Sequence, residues 1–195
     1  MDEAKRQRIL EAATAVFVDQ GYKDASIDEI ARRADIAKGT VYLACESKAD
    51  LFYQAVHRDL QAWGAQITRF VDPRMPAAEI LTKMARNGPL YLAEHPLVRG
   101  LFSGAHHGLL RGWTDRFEQL RTMGRADVAE VIRMGIRSGE FRADVDVEEF
   151  AAILQDLTHT GYVLYGDLWV KDPSVAVRRI SGVMDLALNG LITKR

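Results

Sequence analysis

Little in this 195-residue chain commits it to chemistry of its own. A single cysteine, Cys45, excludes an intrachain disulfide and suits a reducing cytoplasm. No apolar run reaches membrane-spanning length, and the opening MDEAKRQRIL carries no signal-peptide pattern. A soluble, cytoplasmic protein with no membrane partner is therefore expected. The formal charge is −1, and acids outnumber bases in the first fifty residues, so there is no global attraction to nucleic acid. Any nucleic-acid reading must rest on where single charges are placed. Glycine-rich phosphate loops and nucleophile elbows are absent, so neither a cofactor nor an enzymatic activity is expected.

Metal chemistry is equally poorly supported. His106 and His107 are adjacent and diverge by about 100° on a helix, so they cannot readily share one ion. Asp144, Asp146, Glu148 and Glu149 lack the glycine and the terminal Glu of a calcium loop; Asp146 with Glu149 reads better as a helix start. Cys45 has no neighbouring His and falls on the buried side of a short helix, which disfavours a redox switch. No metal site is expected.

What is present is helical periodicity. At 48% hydrophobic the chain can bury one good core, or a small domain and a larger one. No stretch alternates with period two for long enough to make a strand, and the fold class is all-α with about nine helices. The first helix runs from about Glu3 to Gln20, with Ile9, Ala13, Val16 and Phe17 as its buried stripe. Gly21 suits the left-handed stop and Tyr22 the apolar contact that follows it. Arg6 and Arg8 lie on the exposed leading end. A long helix runs from Lys48 towards Phe70 before the breaker Asp72-Pro73-Arg74-Met75-Pro76. Later helices are expected over about 77–93, 96–104, 108–137, 146–165 and 173–192.

The informative stretch is Ser26 to Lys48, SIDEIARRADIAKGTVYLACESK. Ser26 with Glu29 makes the S-x-x-E pattern of a capping box, and Ile27, Ile30, Ala31 and Ala34 give the helix behind it one apolar face. Asp35-Ile36-Ala37 interrupts, and a second short helix is expected from about Lys38 to Cys45. Two short helices about a three-residue turn form a helix-turn-helix, whose second helix enters the DNA major groove. Gly39 is costly in a helix, by roughly 1 kcal/mol, unless the backbone must approach another surface. Thr40 offers a hydroxyl and a methyl to base edges. Lys38 and Tyr42 suit phosphates. Ser47 with Asp50 opens the next helix at Lys48, where a lysine could grip phosphate at a positive helix end.

On these residues the stretch from Arg8 to about Val56 resembles the N-terminal DNA-binding domain of the TetR (tetracycline-repressor-like) family. Ile9, Ala12, Ala13, Phe17, Gly21, Tyr22, Ser26, Ile30, Ala31, Ala34, Ile36, Lys38, Gly39, Thr40, Val41, Tyr42, Ser47, Lys48 and Leu51 carry the likeness. The chain departs from the family's habit at Asp35, where glycine is usual, at Leu43 and Ala44, where an aromatic residue and His are usual, and at Cys45, where Phe is usual. Asp28 is acidic in a helix that ordinarily grips phosphate. The resemblance implies a DNA-binding head at 1–47, with Ser26, Lys38, Gly39, Thr40, Tyr42, Leu43 and Lys48 at the DNA. It implies an effector-binding and dimerisation body at 48–195.

In that body two apolar surfaces suggest a two-fold dimer through a four-helix bundle. Phe150, Leu154, Leu157, Gly161 and Leu164 lie on one, Val183, Met184, Ala187 and Leu191 on the other. Trp63, Met84, Tyr91, Phe102, His106, Trp113, Phe117, His159 and Tyr162 supply large apolar walls with a few polar tips, suited either to a cavity for a small organic effector or to plain core. The whole reads as a ligand-responsive, homodimeric transcriptional regulator, most simply a repressor that leaves double-stranded operator DNA when an effector binds. The alternative is an all-α small-molecule-binding protein or enzyme that has lost DNA binding.

Overall fold

A computed structural model of the chain describes residues 1–102 and 114–191, with backbone alone at 102, 114–115, 117, 121 and 162–170. Among the described residues there are nine α-helices and no strand. In chain order they are α1 (Glu3–Asp24), α2 (Ile27–Arg33), α3 (Lys38–Val41), α4 (Lys48–Thr68), α5 (Ala77–Tyr91), α6 (Pro96–Phe102), α7 (Thr114–Arg137), α8 (Val147–Lys171) and α9 (Pro173–Asn189). The all-α expectation holds.

Several boundaries follow directly from residue chemistry. Gly21 takes φ +73°, so the regular part of α1 ends there, one residue beyond Gln20. Asp146 Oδ1 accepts from the Glu149 amide at 3.1 Å and opens α8. Asp172 accepts from the Ser174 amide and Pro173 takes the first helical position of α9. That Asp-Pro pair, rather than Gly166, ends α8: one glycine weakens a helix without stopping it. Helix α8 therefore runs to Lys171, past the expected 165. Helix α3 closes earlier than expected, at Val41, and two tight turns carry the chain on, with the Leu43 and Ala44 amides donating to Thr40 O and Val41 O.

The chain divides into two compact units. The first takes in Met1–Ala62 with Pro96–Val98. Its core joins Ile9, Ala13, Val16 and Phe17 of α1 to Ile30, Val41, Leu51, Phe52, Ala55 and Val56, all buried. Phe52 meets Phe17 edge-on at 4.9 Å and Tyr22 at 5.2 Å. Because Leu51, Phe52, Ala55 and Val56 belong to this core, the head as a packed body runs well beyond residue 48. The Leu97 and Val98 amides join it through Asp59 Oδ2, at 3.0 and 3.1 Å.

The second unit covers Trp63–His95 and Arg99–Arg195. Ile67, Ile80 and Met84 form a buried cluster against Trp63, Val71, Met75, Val128, Val131 and Met134. The Trp63 indole N–H donates to Gly88 O at 3.0 Å. Helix α5 has no cap from its own flank. Instead Glu140, after α7, accepts from the Ala77 and Ala78 amides at 2.6 and 3.0 Å. Beside it the Phe141 ring packs against Gly135 so closely that a Cβ there would sit 2.3 Å from the ring.

Candidate nucleic-acid interface

The site is built from the ends of α2 and α3. Ser26 Oγ accepts from the Glu29 amide at 3.1 Å and fixes the start of α2. Glu29 does not reach back to complete the box. Its carboxylate holds Arg32 through two bonds, at 2.9 and 2.7 Å, and Arg33 at 3.0 Å. These bonds lower the Glu29 pKa to about 2, Arg32 contributing most. Arg33 also donates to Asp19 at 2.7 Å, which ties α2 to α1. Helix α2 ends through the Ala34 amide on Ile30 O and the Ile36 amide on Ala31 O. Between them Asp35 stands at φ +52°. Asp tolerates that left-handed conformation, so the loss of the usual glycine leaves the turn intact.

Helix α3 follows with Val41 fully buried and anchoring it to the head. Cys45 is buried too; its Sγ–H lies 3.4 Å from Val41 O, and burial raises its pKa. A thiol in that state is a packing group. The outward face is different in kind. Lys38, Gly39 and Tyr42 are exposed, Thr40 is half-buried, and Leu43 is 75% exposed. A Cβ on Gly39 would meet nothing within 4 Å, and its φ is not in the left-handed region. Nothing inside the head therefore requires glycine at position 39.

The cations around this face are mostly engaged. Lys38 Nζ donates to Asp28 at 2.9 Å, which raises the Lys38 pKa. Arg6 donates to Gln54, whose own amide donates to Ala44 O and Asp50. Lys48 Nζ donates to Lys23 O at 3.1 Å and to Ala25 O at 2.9 Å, and sits 4.6 Å from the centre of the Tyr22 ring. Two of its three N–H groups thus close the end of α1. Ser47 Oγ accepts from the Asp50 amide, and Asp50 accepts from the Glu46 amide, so the start of α4 is held from both sides. Asp28 and Gln54 are site residues the sequence reading did not pick out as partners, since Asp28 meets Lys38 across 10 residues of chain and Gln54 meets Ala44 across 10 and Arg6 across 48.

In the body, the expected pocket residues fall only in part among the described residues. Trp63 and Met84 belong to the buried cluster, Tyr91 lies under Arg69, whose guanidinium donates to its hydroxyl at 3.0 Å, and His159 is half-buried. His106 and Trp113, and the side chains of Phe102, Phe117, Tyr162 and Leu164, lie outside the described residues.

Helices α8 and α9 each carry two apolar stripes. Ala151 and Leu154, with Ala176, Ile180, Met184 and Leu188, are buried in the protomer's own core, as is Leu191. Leu154, Met184 and Leu191 therefore face inward, a correction to their expected place on a dimer surface: stripes one residue apart on a helix face different ways. Phe150 and Ala187 are half-buried between the stripes. Ile153, Leu157, Val183 and Leu186 face outward, Leu186 at 79% exposure. Leu157, Val183 and Leu186 border an apolar groove of about 500 Å³ whose walls also include Gly161, Gly182 and Met184.

Neither metal nor membrane chemistry gains support. Among the described residues no three His, Cys, Asp or Glu side chains come together as a metal site, and no helix is long and apolar enough to cross a membrane. The four acids near 146 are dispersed: Asp144 pairs with Arg142, Glu148 with Arg133, and Asp146 caps α8.

Comparison with known proteins agrees with this geometry. Residues 9–55 match the family of bacterial regulatory proteins, tetR family. The HTH-type transcriptional regulator SrpR of Pseudomonas putida is 27% identical over 92% of this chain and 82% of its own length. The HTH-type transcriptional repressor BepR of Brucella suis is 25% identical over 76% of this chain and 74% of its own. In fold, the fatty acid degradation regulator FadR from Bacillus halodurans superposes with a TM-score of 0.76 at 17% identity, covering 94% of this chain and 96% of that one.

Proposed function

We propose, from the premise that this chain is a tetR-family transcriptional regulator through its helix-turn-helix at residues 9–55, that it is a homodimeric repressor released from operator DNA by a small organic effector. Each head would lay α3 in the major groove, with Thr40 at base edges and Lys38, Tyr42 and Lys48 at phosphates. Ser26 serves by capping α2, and Leu43 by apolar contact. Two heads related by two-fold symmetry would read half-sites about 34–36 Å apart. The dimer would form through the outward stripes of α8 and α9, where Gly161 and Gly182 permit close approach. An effector held in the second unit would shift α4, which contributes residues to both units, and so change the separation of the heads.

One observation carries the DNA-reading part of this proposal. Val41 alone of the stretch from Lys38 to Leu43 is buried in the head; on the outward side Gly39 faces open space and Leu43 is 75% exposed. An exposed apolar side chain beside a sterically unneeded glycine fits a surface kept for an outside partner.

The test is selection of bound duplexes from a random pool, by the wild type and by Thr40→Ala in parallel. Enrichment of a near-palindrome by the wild type, with a looser consensus from Thr40→Ala, is expected. Failure of the folded protein to enrich any sequence would favour the sensor-only reading instead.

A further inference from the structure

We propose that Asp28 acts as an intramolecular stand-in for DNA phosphate on Lys38, and so sets how much of that lysine's charge is available to the operator. The inference rests on the DNA-reading function above. Its starting point is the 2.9 Å ion pair between Lys38 Nζ and Asp28 Oδ2, which joins the first turn of α2 to the first residue of α3.

Folding does not explain the pair. Both side chains are exposed, at 52% and 69%, and pairs in that setting contribute little to stability. The start of α2 already has Ser26 as its cap and Glu29 as an acid in its first turn. Helix α3 is anchored by Val41 rather than by Lys38. No other ion pair of Asp28 occurs among the described residues. The carboxylate thus has one evident task, to occupy the ammonium of a lysine that stands on the reading face.

A phosphate oxygen approaching Lys38 would seek the N–H groups that now face Asp28, at the same N···O distance. Binding must therefore loosen the ion pair or share the ammonium through its other N–H groups, and either way it leaves Asp28 beside the negative backbone. The salt dependence follows. A free lysine that neutralises one phosphate releases counterions and steepens the plot of log affinity against log salt by about 0.9. Lys38 released from Asp28 recovers much less, because the abandoned carboxylate takes up a cation in turn. Asp28 is in this sense a positioning residue, which acts on DNA through Lys38.

The experiment uses the full-length protein and the duplex enriched from a random pool, with a shuffled duplex of equal length beside it. Affinities are measured by fluorescence anisotropy across a potassium chloride series for wild type, Asp28→Asn, Lys38→Ala and the double variant, after thermal melts establish that each is folded. Asp28→Asn should tighten binding to both duplexes roughly two- to fivefold and steepen the salt slope by up to about 0.9. In the Lys38→Ala background the same substitution should change affinity by less than about twofold and leave the slope unaltered.

An equal gain with and without Lys38 would overturn the proposal, since Asp28 would then act by simple repulsion of the backbone. No gain in either background would overturn it as well. Binding by Asp28→Asn alone, with none by the wild type, would support it in its strongest form. If wild type and all variants failed to bind either duplex even at low salt, the DNA-reading function itself would be overturned, a result distinct from the preceding ones.

Discussion

The Lys48 ammonium lies 4.6 Å from the centre of the Tyr22 ring and donates to the carbonyls of Lys23 and Ala25, so the first residue of α4 closes the end of α1. One residue thereby joins head stability to the surface proposed to face DNA. Lys48→Met should lower the melting point of the head, with a loss of roughly 1 kcal/mol from the carbonyl bonds and the ring contact. It should also weaken binding to all duplexes alike and flatten the salt slope. Thermal melting with salt-dependent anisotropy checks both; an unchanged slope would assign Lys48 to packing alone.

Gly135 offers a stability prediction remote from DNA. A Cβ at this position would stand 2.3 and 2.5 Å from ring carbons of buried Phe141 and 2.9 Å from the Ala77 Cβ. Gly135→Ala should destabilise the second unit by about 1–3 kcal/mol, despite the better helix propensity of alanine. Denaturant unfolding measures it, and a neutral or stabilising result would contradict the close packing of Phe141.

Glu29 gives a pH dependence with a definite sign. Its folded pKa is lowered to about 2 from a usual 4.5, first by Arg32 and then by Arg33. Its contribution to stability is therefore complete above the usual value and lost as pH falls from about 4.5 through about 2. The stability difference between wild type and Glu29→Gln should be constant at pH 6–8 and shrink over that acid range. A difference independent of pH down to 2 would contradict the Arg32 and Arg33 pairing.

The outward stripe of α8 and α9 predicts a change in association. Leu157 and Leu186 are 45% and 79% exposed at the apolar groove. Leu157→Asp with Leu186→Asp should shift the protein to monomer while leaving helix content unaltered, since neither side chain is in the protomer core. Sedimentation at micromolar concentration reads the outcome. A wild type already monomeric there would overturn the dimer.

Much of the head was legible because its determinants are local. Ser26 and Ser47 cap the helices that begin beside them, Gly21 takes its left-handed turn, and Asp35 adopts the conformation that its side chain tolerates. Each signal lies within four residues of its effect. The interactions that refine the site are long-range. Lys48 reaches back 23 and 25 residues, Glu140 caps α5 from 62 and 63 residues away, and Asp28 meets Lys38 across ten. No periodicity announces such pairs. The inward turn of Leu154 and Leu191 was hidden for a related reason: when both faces of a helix are apolar, hydrophobicity cannot say which face meets the protomer's own core.

The central claim, that two α3 helices of one dimer read one DNA site, is tested most directly by the mass of the complex with the enriched duplex, measured by sedimentation at physiological salt. Two protomers on one near-palindromic duplex, or a multiple of two, is the expected composition. A stable, sequence-selective complex with a single protomer would contradict it.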